Sequence, residues 1–446
     1  MKNQKEKIRK IYFIGIGGIG VSALARYYLA RGWRVFGSDL KSSETVGELK
    51  KLGIKIRIGN NGLGKISPDL AVFSPAVKSD NLELRQARSL GIKTMSYPEA
   101  LGELTRQYKT IAVAGAHGKS TITAMIGLMM AAAKLDPTVI VGTKVKEFGN
   151  SNFRSGKSDY LVIEACEYDR SFLNYQPRII VVSNIEMDHM ECYTGQEDLV
   201  QTFEKFCRNL NSDGRLVYCA DSPDAAKMAV GCGLGKLANS YSLAIAEADL
   251  LRRILKIPGE HNVANALAAL TVGRILKIAD KTIFSALAKY KGSWRRFDCR
   301  EADFGGKKIT AVFDYGHHPT QIAATMAAAR QKWPKKKIVC VFQPHQAWRA
   351  HLLFDRFVEV FKNQPLDKVF ITDIYQVAGR ENREISQKTN SQKLVLAIGG
   401  DLAEYAPVKN LFSTLKKEIK TGDILLVLGA GDIYDIMLKK LTFRRS

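Results

Sequence analysis

The sequence predicts an α/β protein of three domains in series. Three observations carry that prediction. Apolar runs of strand length alternate with helical periodicity almost throughout, which is the pattern of strands covered by helices. Two glycine loops, Gly15–Gly20 and Gly115–Gly118, each stand between an apolar run and a helical stripe. The chain has 446 residues, 46% of them hydrophobic and 25% charged, which is enough for several packed cores.

Residues Ile11–Ile14 read as a strand, and past the first loop Val21, Leu24, Ala25 and Tyr28 recur at helical spacing. Arg34–Gly37 and Leu70–Phe73 return to strand. Near Tyr97-Pro98 a turn-like segment and a short helix lead into the strand Thr110–Ala114, so the first domain is expected to cover 1–107. The second, 108–292, holds the second glycine loop and strands at Tyr160–Glu164 and Ile179–Ser183. After Gly259 it holds a helix with Val263, Leu267 and Leu270 on one face. The third, 293–446, carries strands that end at Asp314, Phe342, Thr372 and Leu428.

Lys and Arg number 67 against 44 Asp and Glu, a net charge of +23. Such an excess suits nucleic acid, an anionic membrane or small anionic ligands and does not choose among them. The seven cysteines are odd in number, scattered and without a C-x-x-C pair, which excludes a disulfide framework and a zinc ribbon and points to a reducing cytoplasm. The basic start before an apolar run from Ile11 to Ala25 imitates a signal peptide. Its glycines make it a strand and a loop instead, and the chain reads as soluble and unprocessed.

Gly15-Ile16-Gly17-Gly18-Ile19-Gly20 satisfies G-x-G-x-x-G between strand and helix. Glycines let backbone N–H groups and a helix N-terminus approach a pyrophosphate. Asp39, 19 residues beyond Gly20, stands where a ribose-binding acid is expected. Gly115-Ala116-His117-Gly118-Lys119-Ser120-Thr121 has the form of a phosphate loop. Such a loop brings Lys119 to the β- and γ-phosphates of a nucleotide and Ser120 to Mg²⁺, although Val113 replaces its usual first glycine. Glu164 ends an apolar strand and is followed by Glu167 and Asp169, which suits an oxygen-liganded metal. No histidine has zinc spacing, but His117, His189, His317 and His345 gather at strand ends, where open α/β sheets bind ligands.

With Ser183–His189, Gly259–Ala266, Trp294–Phe297, Asp314–Thr320, Phe342–His345 and Gly429–Ile433, these segments resemble the Mur ligase family, in its alanine-adding branch. They follow the family's order over nearly the whole chain. The resemblance implies an N-terminal Rossmann-like domain for a UDP-sugar, a central P-loop ATPase-type mononucleotide-binding domain and a C-terminal Rossmann-like amino-acid domain. It implies a cytoplasmic enzyme of peptidoglycan precursor synthesis that uses ATP and Mg²⁺. The lactyl carboxylate of UDP-N-acetylmuramate would be phosphorylated and the acyl phosphate attacked by L-alanine. Partners would be small molecules, with neither nucleic acid nor membrane, and the chain a monomer or weak homodimer.

The resemblance also assigns residues. Gly115, Ala116, His117, Gly118, Lys119, Ser120 and Thr121 would hold ATP, with Lys119 on the γ-phosphate. Asn262 and Asn265 would contact adenine, and Arg296 and Asp314 would reach ATP on closure. Ser120, Glu164 and His189 would ligate metal. Gly15, Gly17, Gly18, Gly20, Ser38, Asp39 and Ser74 would bind the UDP-sugar, while His317, His345 and Arg349 would face the incoming amino acid. Lys119, His189, Arg296, His317 and Arg349 would be the catalytic set. Two departures stand out: Cys166 and Tyr168 where the family has Asp and Ser, and Gln346 where arginine is common.

Three rival readings remain at this stage. A ligase that attaches a tripeptide to the same sugar nucleotide shares Asp314–Thr320, though Gly15–Ala25 favours alanine. An NAD-dependent dehydrogenase would explain the first loop but not Gly118-Lys119-Ser120-Thr121. A basic nucleic-acid-binding ATPase would explain the charge and the phosphate loop but leave the other motifs without a purpose.

Overall fold

The computed structural model describes residues 8–188, 191–376 and 388–443. Strands β1 (Lys10–Ile14), β2 (Arg34–Asp39), β3 (Lys55–Ile58), β4 (Leu70–Phe73) and β5 (Lys93–Ser96) form a parallel sheet in the order β3-β2-β1-β4-β5. The chain order reverses between β1 and β4. In open sheets the crevice outside the carboxyl ends at such a reversal is where ligands bind. Gly15 follows β1 there and Ser74 follows β4.

A second sheet contains β6 (Lys109–Ala114), β7 (Thr138–Val145), β8 (Ser151–Arg154), β9 (Tyr160–Glu164), β10 (Ile179–Val182), β11 (Arg215–Cys219) and β12 (Ala238–Tyr241). Their order is β12-β11-β10-β6-β9-β7-β8. Between β6 and β7 the helix Lys119–Ala132 buries Ile122, Met125, Ile126 and Met129, the stripe its spacing predicts. β6 lies between β9 and β10, so Glu164 and Ser183 emerge on either side of the phosphate loop. The antiparallel β7–β8 hairpin has no counterpart in the sequence reading, because its polar residues break the apolar run.

The third sheet is built from β13 (Asp298–Phe304), β14 (Lys307–Asp314), β15 (Ile338–Phe342), β16 (Lys368–Ile371), β17 (Ala403–Tyr405), β18 (Ile424–Leu428) and β19 (Thr442–Phe443). Its order is β17-β16-β15-β18-β14-β13-β19. β13 runs antiparallel to β14; its sequence Asp-Cys-Arg-Glu-Ala-Asp-Phe is too polar to read as a strand. Each sheet falls within one of the three predicted domains.

The described chain divides into two compact units. One comprises Met1–Glu247 with Ala264–Tyr290 and so contains the first two sheets. The other comprises Ala248–Val263 with Lys291–Ser446 and contains the third. In the first unit one apolar core runs from Ile11, Phe13 and Leu24 through Leu101 and Leu104 to Ala112, Ile140 and Ile180. Both glycine loops therefore stand on one packed body. Residues 248–263, which the sequence reading leaves in the central domain, fall in the same compact unit as the third sheet. All seven cysteines are free thiols, and among the described residues no helix is long and apolar enough to cross a membrane.

Candidate active-site residues

The first glycine loop is bound to its neighbours by backbone donors. The N–H groups of Gly15 and Ile16 both donate to the Ser38 carbonyl at 2.9 Å, and Gly17 N donates to Asp39 Oδ2 at 2.8 Å. Asp39 thus reaches the loop itself. Gly15 has φ +78°, and a Cβ there would come 3.0 Å from the Ser74 Cβ, so glycine is required on both counts. Gly18 caps the helix Ile19–Ala30, and Gly20 lies in its first turn. The Ser38 hydroxyl points away into the core. It donates to Glu83 Oε2 at 2.5 Å, while the Tyr12 hydroxyl donates to the other oxygen of Glu83 at 3.0 Å. Burial raises the Glu83 pKa, offset in part by those two donors.

The phosphate loop is held from two sides. Ala116 N donates to the Asn184 carbonyl at 3.2 Å, His117 N to Asn184 Oδ1 at 2.9 Å, and the Ser183 hydroxyl to the His117 carbonyl at 2.5 Å. The His117 ring pairs with Glu186 at 2.8 Å. Gly118 has φ +85°, and a Cβ there would collide with Asn265 Oδ1. The fold therefore brings Asn265, 147 positions further along the chain, against the loop. Ser120 and Thr121 are buried in the first turn of the helix.

Lys119 donates to the Gly115 carbonyl at 2.5 Å and to both oxygens of Glu167 at 2.9 and 3.1 Å. Burial by itself would lower its pKa. Glu167, Cys166 and Glu164 outweigh that and hold the ammonium charged and above its usual range. Packing around the half-buried Cys166, with Glu167 beside it, pushes the thiol up to about 12. Glu164 at the end of β9 accepts from Gly142 N at 2.5 Å. The turn after it is unusual, since Asp169 and Arg170 have φ +50° and +51°. It is fastened by Arg170, which donates to both Asp198 oxygens at 2.8 Å, and by the Tyr193 hydroxyl, which donates to the Glu167 carbonyl.

Glu167 is the residue that sequence reasoning passed over, visible only as one acid in a run of three. Its carboxylate is 3% exposed and is the ionic partner of Lys119. Glu167→Gln is expected to lower stability by about 1–3 kcal/mol, because the lysine keeps its burial and loses its counter-charge. The KM for ATP should rise severalfold. Thermal unfolding and initial-rate kinetics check both, and unchanged values in each would refute the pairing's importance.

The second unit gathers a different group at the carboxyl edge of its sheet. Asp314 accepts from Phe297 N at 2.8 Å and from Gly316 N at 2.7 Å, so both its oxygens order backbone. The rings of His317 and His345 lie 5.6 Å apart, and His345 stacks on Tyr375. Arg349 is buried and donates to Gln346 Oε1 at 3.0 Å and to the His345 carbonyl at 3.3 Å. Gln346 thus supplies an acceptor that arginine lacks; an arginine there would set a second cation against Arg349. Arg296 lies with its guanidinium 5.3 Å from the Tyr315 ring. Its neighbour Arg295 is buried, with Nη2 donating to the Gly429 carbonyl at 2.5 Å and to Gly431 at 3.3 Å. Asn262, also in this unit, donates to the Pro258 carbonyl at 2.6 Å. His189 lies outside the described residues.

Comparison with known proteins places these residues in context. Mur ligase family models match residues 10–109 (Mur ligase family, catalytic domain), 113–273 (Mur ligase middle domain) and 295–431 (Mur ligase, glutamate ligase domain). The UDP-N-acetylmuramate–L-alanine ligase of Caldanaerobacter subterraneus subsp. tengcongensis is 36% identical over 98% of both chains. That of Acetivibrio thermocellus is 38% identical over 96% of this chain and 95% of its own. Among solved structures, UDP-N-acetylmuramate–alanine ligase from Thermotoga maritima superposes with a TM-score of 0.78 at 27% identity, covering 96% of this chain and 97% of its own. A murein peptide ligase from Psychrobacter arcticus gives 0.70 at 21% identity, covering 97% of this chain and 98% of its own, and so shares the fold.

Proposed function

The chain belongs to the Mur ligase family, and from that premise we infer that it joins L-alanine to UDP-N-acetylmuramate using ATP, a step of peptidoglycan synthesis. The observation that carries this reading is the full-length likeness to alanine-adding ligases, together with a phosphate loop whose lysine faces an acidic turn.

The chemistry needs two activations. A carboxylate is a poor electrophile, so its oxygen takes the γ-phosphoryl group of ATP and becomes an acyl phosphate. The amine of alanine then adds to the carbonyl carbon, and the tetrahedral intermediate expels inorganic phosphate as the amide forms. Lys119 would move from Glu167 to the γ-phosphate and offset the charge that builds during transfer. The backbone of Gly115–Thr121 would cradle the phosphates, and Asn265 would mark the adenosine side of the loop. Ser120 and Glu164 offer the hard oxygen donors that Mg²⁺ prefers, and on the resemblance His189 would complete the set. When bound, that ion would supply positive charge against the β- and γ-phosphates. In the second unit Arg349 would pair with the alanine carboxylate, with His317 and His345 beside it. Arg296 and Asp314 would act on ATP as the domains close, and exclusion of water would protect the acyl phosphate.

Incubation with ATP, Mg²⁺ and UDP-N-acetylmuramate plus L-alanine, glycine, L-serine or the tripeptide, one at a time, tests the reading. Mass spectrometry should find the alanyl product as the dominant one. Phosphate release that no amine raises above background would end the ligase reading, and preference for the tripeptide would move the chain to the recycling reaction.

A further inference from the structure

Tyr97 is the first residue past β5 and opens the helix Tyr97–Thr105. Its direction is set locally. The Ser96 hydroxyl accepts from Glu99 N, the Glu99 carboxylate accepts from Ser96 N at 2.7 Å, and Pro98 fixes the first turn. Register carries this residue to the mouth of the first sheet. Ile14 aligns with Phe73 and Phe73 with Ser96, so Gly15, Ser74 and Tyr97 leave the carboxyl ends of three adjacent strands.

The tip of the Tyr97 ring lies against the glycine-loop helix. A Cβ added at Gly20 would stand 2.8 Å from both Cζ and the hydroxyl oxygen. Further along the same helix Gly102 packs against the Asn174 carbonyl, in the segment that follows the acidic end of β9, and burial, with the charge of Glu164 and the thiol of Cys166, raises the phenol's pKa. Tyr97 is half-buried, and its hydroxyl has no hydrogen-bond partner among the described residues. A polar group thus stands between the pyrophosphate-binding loop of one sheet and the acidic strand end of the next. Both sheets belong to the same compact unit.

The sugar nucleotide must cross this interval. Its pyrophosphate belongs at Gly15–Gly20, and its lactyl carboxylate must reach a γ-phosphate held by Lys119. The N-acetylmuramoyl group is what connects them. We propose that the Tyr97 hydroxyl donates a hydrogen bond to that N-acetylmuramoyl group, which makes Tyr97 a substrate-recognition residue for the sugar half of the nucleotide. The proposal rests on the ligase reading above.

The test is Tyr97→Phe in the full chain, which keeps the ring against Gly20 and removes only an oxygen that has no hydrogen-bond partner among the described residues. Thermal unfolding should be unchanged. Titration calorimetry should show UDP-N-acetylmuramate bound roughly tenfold more weakly, the loss of one well-placed hydrogen bond. UDP alone should bind as to the wild type, and the KM values for ATP and alanine should hold. Unchanged affinity for UDP-N-acetylmuramate, or an equal loss for UDP, overturns the contact. The wild-type control separates the two ideas. A wild type that turns over UDP-N-acetylmuramate while Tyr97→Phe binds it normally defeats the Tyr97 contact alone, and a wild type with no turnover defeats the ligase reading.

Discussion

Lys119→Ala is expected to reduce turnover by at least about 10³-fold while leaving UDP-N-acetylmuramate binding intact. The ammonium is the one cation that the first unit places in the phosphate loop itself, and it is held charged by the acidic turn around it. Its loss removes charge stabilisation where phosphoryl transfer concentrates negative charge. The sugar nucleotide, by contrast, is expected at the Gly15–Gly20 loop on a different sheet. Phosphate release and calorimetric binding of UDP-N-acetylmuramate read the two effects separately. Loss of both would mean that the sugar site has been assigned to the wrong loop. Lys119→Arg should not rescue, because a planar fork does not replace a compact ammonium between a loop carbonyl and a carboxylate.

The adjacent arginines of Trp294–Phe297 should separate into two roles. Arg295→Met is expected to destabilise the second unit by about 2–4 kcal/mol, as it leaves the buried carbonyl of Gly429 and the part-buried carbonyl of Gly431 without their donor. It also removes a guanidinium that stands 5.5, 4.9 and 5.0 Å from the rings of Trp294, Tyr315 and Tyr434. Arg295 holds this position at φ +55°, and its carbonyl accepts from Tyr315 N at 2.8 Å, so backbone and side chain together bind three segments. Arg296→Met should change stability by no more than about 0.5 kcal/mol, since its side chain is only half-buried. Turnover, however, should fall at least about tenfold if it meets ATP. Urea unfolding followed on the full chain, with kinetics on both variants, decides the matter. Equal loss of stability in the two would mean that the arginines share one structural role.

Much of the site was legible as sequence because its chemistry is local. A glycine loop, its lysine and the helix it opens are consecutive residues, and their function depends on backbone that the same few residues shape. The strands at Leu70–Phe73 and Tyr160–Glu164 were legible for a similar reason, since a strand covered on both faces is an uninterrupted apolar run. Strands of mixed composition were not. β13 and the β7–β8 hairpin mix polar and apolar residues, and only pairing with β14 and β9 makes them strands.

Partners drawn from distant segments were hidden in the same way. Glu167 looked like one of three acids until the turn at Asp169 and Arg170 aimed it at Lys119. The resemblance assigned Ser38 to the UDP-sugar, and in the fold its hydroxyl turns inward to Glu83. Of the two arginines, the sequence pointed to Arg296 and did not mark Arg295 as the buried one. Gln346 looked like the loss of a cation, and its side chain proves to be the acceptor that Arg349 uses.

The sequence by itself therefore determined the α/β class, the order of the two glycine loops and the family whose chemistry they serve. All of these are properties of contiguous segments. Only the tertiary structure decided which acid neutralises Lys119, which arginine is buried and which phenol packs against Gly20. Those choices are made by burial and by strand register. Both depend on residues far apart in the chain, and a local pattern does not encode them.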